Sequence, residues 1–596
     1  MPPLVLKDVF NLRYANSPMV SSSGEFIVYT RHSMDIMRDR ARANLWLVSR
    51  DGEHHRPLTS GAMSVTHPAL SPDDTRVAFV AKDDTGSQIF VHWLQQGYTA
   101  QLTRLGSTPR HLTWSPDGEQ LAFTLRVAEP APTMGELPAA PEGAEWAPPP
   151  VVIDRTVYRK DGKGYRKRGF RHVFVMPAAG GSPRQVTSGD FDHSGGIAWS
   201  ADAQALFVSA NRGKDAELNP ANTDIFRVQL SSGEIQQLTE RQGPDSGPVV
   251  SPDGRLIAYT GWDDADLGYH RQRLYIMQAD GSGKRELQSD LDRDVSLPQW
   301  SQSSEHLFFS FDDHGDTLLA MTDLNDRMVR LANGLGGTSL GRPYAGSAFS
   351  VGGGDVFAFT AGNPARPADI AAGRPGHDAP ARLTALNESF LGHRDLARVE
   401  ERWITSSAEG EKIQAWLALP PGFDPEQQYP LILEIHGGPF TNYGSRFSAE
   451  VQLYAAAGYV VLYVNPRGST SYGERFGNLI HHAYPGRDYY DLMSAVDAVI
   501  DEGYIDDKEL YVTGGSGGGV LTAWIVGKTD RFRAAVVAKP VINWASFVLT
   551  ADLSPYFTRY WFPAMPWEDP EGYWARSPLS LVGSVTTPTM LLTGES

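Results

Sequence analysis

The 596-residue sequence contains no cysteine. That excludes disulfides, thiolate nucleophiles and zinc–thiolate sites, and leaves the redox compartment open. No apolar run is long enough to span a bilayer. The first residues, Met1 to Asp8, hold neither the basic segment nor the apolar core of a signal peptide. A cytoplasmic protein is expected, with a periplasmic or secreted protein that has lost its leader as the alternative. Positive charge is also scarce: 53 Lys and Arg stand against 70 Asp and Glu, a net charge of -17. Nucleic-acid binding rests on cationic contacts to phosphate, so a nucleic-acid partner is not expected. Docking on anionic membranes is disfavoured for the same reason. Histidine is unevenly spread, and the last of the 16 is His482.

What is present begins with a repeat. The chain is too long for one ordinary core, so two or more domains are expected. Ser251-Pro252-Asp253-Gly254 precedes an apolar strand ending at Tyr259, and the pattern recurs at Ser71 and Ser115. Weaker copies start at Ser21, Ser200, Ser301 and Ser350, giving seven starts in all. The proline and glycine of the motif suit a tight turn. Each unit closes on a short Gln-Leu-Thr-like strand, as at Thr59, Thr103, Thr187, Thr239 and Thr384. Several short strands repeated seven times read as a seven-bladed β-propeller over residues 1–386, after a short N-terminal extension. An open solenoid or a run of sandwiches is the alternative.

The interval between Ser115 and Ser200 is the longest and places an insertion at about 126–170. It opens with a Pro/Ala/Glu-rich stretch, 129–150, and continues into a basic segment, 155–168. That segment reads either as a solvated hairpin or as a loop that meets an acidic substrate end or the second domain.

From about residue 387 strands alternate with helices, the texture of a doubly wound α/β sheet. Apolar strands are expected at 429–435, 459–464, 509–513, 534–538 and 589–593, and helices at 448–457, 488–502 and 520–526. The strand at 509–513 runs straight into Gly514-Gly515-Ser516-Gly517-Gly518. A Gly-x-Ser-x-Gly turn between strand and helix is the signature of a nucleophile elbow, so Ser516 is the expected nucleophile. An oxyanion hole needs two donors. The N–H of Gly517 supplies one, and the N–H of Gly438, in His436-Gly437-Gly438-Pro439, the other. His436 precedes the nucleophile and reads as a structural hydrogen-bonder; His481 and His482 read as surface residues. No metal or cofactor is expected.

His436-Gly-Gly-Pro439, Asn465-Pro-Arg-Gly-Ser469 with Tyr472-Gly473, and Gly514-Gly-Ser-Gly-Gly518 behind seven propeller units resemble the prolyl oligopeptidase family of serine peptidases. The likeness is closest to its acylaminoacyl-peptidase and bacterial dipeptidyl-aminopeptidase branch. It implies an α/β-hydrolase domain over 387–596 that cleaves short peptides through an acyl-enzyme. It also implies a catalytic aspartate and histidine after the penultimate core strand, hence beyond Ser596, so the hydrolase domain is expected to be incomplete at its C-terminus and weakly active as it stands. Trp544, Phe547 and Tyr556 are the implied walls of the pocket for the residue before the cut bond. Glu400-Glu401 reads as a surface pair and not as a clamp for a free amino terminus. An esterase on the same fold and an inactive peptide-binding propeller are the rival readings. The sequence leaves homo-oligomerisation open.

Overall fold

A computed structural model describes residues 1–594 other than 131, 133, 134, 136, 137, 148 and 149. Part of the Pro/Ala/Glu-rich stretch and the last two residues therefore lie outside the described residues. Seven four-stranded antiparallel sheets follow one another over 13–57, 66–101, 110–185, 197–237, 245–287, 295–332 and 349–382, the blades of a propeller.

The repeated serine and threonine make the same bonds in blade after blade. The hydroxyl of Ser71 accepts the N–H of Arg76 at 2.9 Å, and Ser115, Ser200 and Ser251 accept those of Gln120, Ala205 and Leu256 at 2.9 Å. Each of these hydroxyls donates to the aspartate two residues on, at 2.5–2.6 Å. The closing threonine works at the other edge. The hydroxyls of Thr59, Thr103, Thr187 and Thr239 each accept, at 2.9 Å, a backbone N–H from the start of the third strand. A short last strand thereby gains a side-chain rung where backbone pairing stops.

One expectation is corrected. The serine does not open the blade; it joins the first strand to the second. A strand precedes it, such as Thr66–Leu70 or Asp245–Val250. These first strands carry bulges, and the second of them holds Gly247 and Pro248, so they read as turns in the sequence.

No strand is exchanged between the first and seventh blades. The ring is closed by packing, with Ala15, Val20, Ile27 and Tyr29 against Val356, Ala358 and Ile370. Asn387 adds two bonds to the backbone of Arg13, at 2.7 and 2.9 Å. Inside the insertion, Arg159–Lys160 and Gly164–Tyr165 form a small hairpin. Its tip meets the second domain, where the N–H of Asp161 donates to Asp552 at 3.2 Å.

The second domain is built on one seven-stranded sheet. Its strands are β1 (Arg398–Thr405), β2 (Lys412–Leu419), β3 (Tyr429–Ile435), β4 (Val460–Asn465), β5 (Ile505–Gly515), β6 (Ala534–Ala538) and β7 (Thr589–Leu592). Their order is β1-β2-β4-β3-β5-β6-β7, parallel from β4 onward. Helices α1 (Ala449–Ala456), α2 (Asp488–Ile500) and α3 (Gly517–Lys528) pack on it. The α1 helix begins at Ser448, whose hydroxyl accepts the N–H of Val451, as a helix N-cap does. The central strands β3 and β4 are apolar and buried, as strands covered on both faces must be. On β7, Met590, Leu591 and Leu592 are exposed.

Candidate active site

Strand β5 ends at Gly515 and α3 begins at Gly517, so Ser516 forms the whole turn. Its φ of 56° and ψ of -118° lie where a side chain is strained. Two backbone bonds hold that conformation. The N–H of Ser516 donates to Ala538 at 2.9 Å, and its carbonyl accepts from Val520 at 2.9 Å. Ser516 itself is exposed while Gly514, Gly515 and Gly517 to Gly519 are buried. The strained turn thus lifts one hydroxyl out of a buried glycine seat.

The glycines are required by their neighbours. A Cβ on Gly518 would stand 2.1 Å from the Ile435 carbonyl oxygen, and one on Gly514 2.4 Å from that of Gly518. A Cβ on Gly517 would lie 3.0 Å from the Gly438 nitrogen, so the elbow and the His-Gly-Gly-Pro turn are in direct contact. Among the described residues neither Gly438 N–H nor Gly517 N–H donates to a protein acceptor. Two undonated backbone N–H groups beside a raised hydroxyl are the geometry an oxyanion hole needs.

His436 is fully buried. Its Nδ1 lies 2.6 Å from the Gly437 carbonyl and its Nε2 2.9 Å from the Ser469 hydroxyl, which itself donates to the Pro466 carbonyl at 2.6 Å. Burial pulls its pKa down to about 4, partly offset by the Gly437 carbonyl. Both ring nitrogens are occupied by the scaffold, and the ring stays neutral. Ser469 belongs to the Asn-Pro-Arg-Gly-Ser motif, whose other members also brace the site. Asn465 accepts the N–H of Tyr443 at 2.8 Å and donates to its carbonyl at 2.9 Å. Arg467, 1% exposed, is paired with the fully buried Asp491 through two side-chain bonds of 2.9 Å.

His481 and His482 are not surface residues; both are half-buried. His481 lies at the junction of the two domains, where its Nδ1 accepts the N–H of Gly268 at 3.0 Å. The two rings stack at 3.8 Å. Among the described residues no histidine nitrogen bonds the Ser516 hydroxyl.

The aromatic segment after the elbow forms one cluster. Trp544 is 1% exposed and its indole N–H donates to the Arg576 carbonyl at 3.0 Å. Its ring lies 5.6 Å from both Phe547 and Trp561. Phe547 and Tyr556 are half-buried beside it. Next to the Gly438 turn is a narrow cleft of about 10 Å³, walled by Phe440, Tyr484, Tyr560 and Trp561 with Arg576 and His482. Tyr484 reaches the elbow directly, its hydroxyl donating to the Gly517 carbonyl at 2.7 Å. Phe440 was within reach of sequence reasoning, since it follows the Gly-Gly-Pro turn. Nothing in the spacing marks Tyr484. A larger chamber of about 510 Å³ adjoins it between the domains, lined by Asp294, Asp312, Phe440, Thr441 and Asn442 among others. Among the described residues no group of three or more His, Asp and Glu is arranged to hold a metal ion. No helix among them is long and apolar enough to cross a membrane.

An α/β sheet with a serine elbow and two free N–H donors, facing a seven-bladed propeller, defines a serine hydrolase whose active site is roofed by a propeller. Residues 445–596 match the prolyl oligopeptidase family, and residues 163–266 match the dipeptidyl peptidase IV N-terminal region. The hydrolase part of the chain is thus similar to the prolyl oligopeptidase family and part of its propeller to the dipeptidyl peptidase IV N-terminal region. It is 29% identical to the uncharacterized peptidase YuxL of Bacillus subtilis, covering 99% of this chain and 90% of that protein. It is 24% identical to dipeptidyl-peptidase 5 of Porphyromonas gingivalis, covering 97% and 85%. The acylaminoacyl peptidase of Pyrococcus horikoshii superposes with a TM-score of 0.81 at 19% identity, covering 98% of this chain and 86% of that one.

Proposed function

We propose that the protein is a serine peptidase that cleaves short peptides by acyl transfer, with Ser516 as nucleophile and the N–H groups of Gly438 and Gly517 as the oxyanion hole. One observation carries this reading: the strained, exposed Ser516 beside two undonated backbone N–H groups. The Ser516 oxygen attacks the scissile carbonyl, the C–N bond breaks, and the proton from the hydroxyl goes to the leaving amine. Water then releases the acyl group. A histidine oriented by an aspartate carries that proton. No histidine follows His482, so within these 596 residues the nucleophile and its oxyanion donors have no base in the family's order.

The pocket for the residue before the cut bond is walled by Phe440, Tyr484 and Trp561, with Phe547 and Tyr556 at its margin and Trp544 behind. Flat rings of this kind suit proline or apolar side chains. The names of the relatives support two modes, removal of dipeptides and removal of blocked residues. The cytoplasmic placement is tested by cell fractionation.

The deciding experiment pairs the intact mass of the gene product with a fluorogenic panel of free dipeptides, acyl-blocked peptides and p-nitrophenyl esters. Turnover of a peptide series supports the reading. Turnover of esters alone would make the protein an esterase, and peptide binding without turnover would make it a binding protein.

A further inference from the structure

The loop 333–348 connects the sixth and seventh blades, yet its middle is built into the hydrolase. Tyr344 forms an isolated antiparallel bridge with Tyr443. The N–H of Ala345 donates to Asn442 at 3.0 Å, that of Gly444 to Pro343 at 3.0 Å, and that of Ala449 to Leu340 at 2.9 Å. A propeller loop thus runs as a short extra strand beside the turn that carries the oxyanion donor.

Two of its side chains reach the catalytic backbone. The Tyr344 hydroxyl accepts the N–H of Gly437 at 2.6 Å. A Cβ on Gly437 would stand 3.1 Å from that hydroxyl and 3.4 Å from the Cβ of Ser516, so the tyrosine oxygen and the nucleophile flank the same small gap. The ring is held edge-on against Tyr443, 4.8 Å between centroids. Arg342 lies behind the elbow. Its Nε is 2.9 Å from the fully buried Glu434 and 3.2 Å from Glu450. A Cβ on Gly515 would be 2.7 Å from its Nη1. Glu434 in turn accepts from the Tyr443 hydroxyl at 3.0 Å. The loop is therefore anchored at both ends of the site.

An oxyanion hole accelerates a reaction only if its donors are aimed before charge develops. Gly437 and Gly438 have no side chains and wide conformational freedom, so their peptide is aimed by its partners. Gly438 has a φ of 112°. His436 Nδ1 holds the Gly437 carbonyl, which shares a peptide with the Gly438 N–H, at 2.6 Å. Tyr344 holds the preceding N–H from the propeller side, and the N–H of Gly438 is left for substrate.

We propose that Tyr344, a residue of the propeller, is a positioning residue for acyl transfer: it fixes the Gly437–Gly438 turn, so the oxyanion hole is set only when the two domains are docked. This rests on the acyl-transfer reading above. The test is Tyr344→Phe in the full gene product, which keeps the ring and removes the acceptor. The kcat for a peptide p-nitroanilide should fall by about ten- to a hundredfold with KM within about twofold, the scale of a small misplacement at a reacting centre. Affinity for a peptide trifluoromethyl ketone, whose adduct places an oxyanion in the hole, should fall by the same factor. Affinity for the product acid should not change. A kcat within twofold of wild type overturns the assignment, and so does an equal loss of product-acid affinity, which marks general distortion. If the variant does not fold, Ala345→Pro, which deletes the bond to Asn442, carries the same prediction and the same overturning results. If wild type cleaves neither amide nor ester, the peptidase reading and this assignment fall together. If wild type cleaves and the variants match it, only this assignment falls.

Discussion

Two sets of glycines, in propeller hairpin turns and in the hydrolase elbow, serve opposite ends. In the propeller turns, Gly97 and Gly233 have positive φ and open space where a Cβ would be. Their glycine relieves the local backbone and nothing else. In the hydrolase, Gly514, Gly518 and Gly519 would each drive a Cβ to within 2.1–2.5 Å of a backbone oxygen. There the missing side chain makes room for another part of the chain. The propeller is a local solution repeated seven times, and the active site is a single assembly of segments far apart in sequence.

The largest test of that contrast is Ser516→Ala. It should lower peptide turnover in the active gene product by about a thousandfold or more, while calorimetry shows an unchanged transition. Residual activity near wild type would remove Ser516 from the mechanism.

Next comes a matched pair of glycine substitutions compared by urea unfolding. Gly518→Ala must displace the Ile435 carbonyl and should cost more than about 3 kcal/mol or fail to fold. Gly233→Ala meets nothing and should cost about 1–2 kcal/mol, the strain of a left-handed alanine. Equal losses would break the comparison.

Smaller effects belong to the repeat. Thr103→Val strips the acceptor from the N–H of Ile89 and should cost about 1–3 kcal/mol. Thr239→Val removes the equivalent rung from another blade, and the double variant should show the sum of the two losses, because distant independent sites add. A double-variant loss well above the sum would show that the blades are coupled.

A last test is a pH dependence at the hydrolase side of the junction. Burial pushes the Glu434 carboxyl up to about 8 from an ordinary 4.5, against the Arg342 guanidinium beside it. A raised carboxyl favours the protonated folded state, so its contribution is complete below about 4.5 and is lost as pH rises through 8. Glu434→Gln has no proton to lose. Its Tm should therefore gain on wild type between pH 5 and about 8.5. A constant difference across that range would mean that Arg342 keeps Glu434 ionised throughout.

Much of the repeat was legible because its signals are local. Ser71 bonds Arg76, five residues on, and Thr103 bonds Ile89, fourteen residues back. The first strand of each blade was hidden because its bulges and turn residues mask alternation. The elbow at Ser516 was legible for the same reason as the repeat: strand, turn and helix are contiguous. His481 was misplaced because its partner, Gly268, lies 213 residues away. Tyr344 escaped notice because it lies on a propeller loop with no motif around it.

The sequence alone determined the domain types, the elbow at Ser516 and the backbone strain that raises its hydroxyl, because turn chemistry and strand or helix periodicity depend on neighbours along the chain. Which side chains face that hydroxyl was decided by tertiary structure. Tyr344 reaches Gly437 across 93 residues of chain, and His436 is withdrawn toward Ser469 across 33. Such contacts depend on how two separately folded surfaces dock, and spacing along the chain carries no record of that.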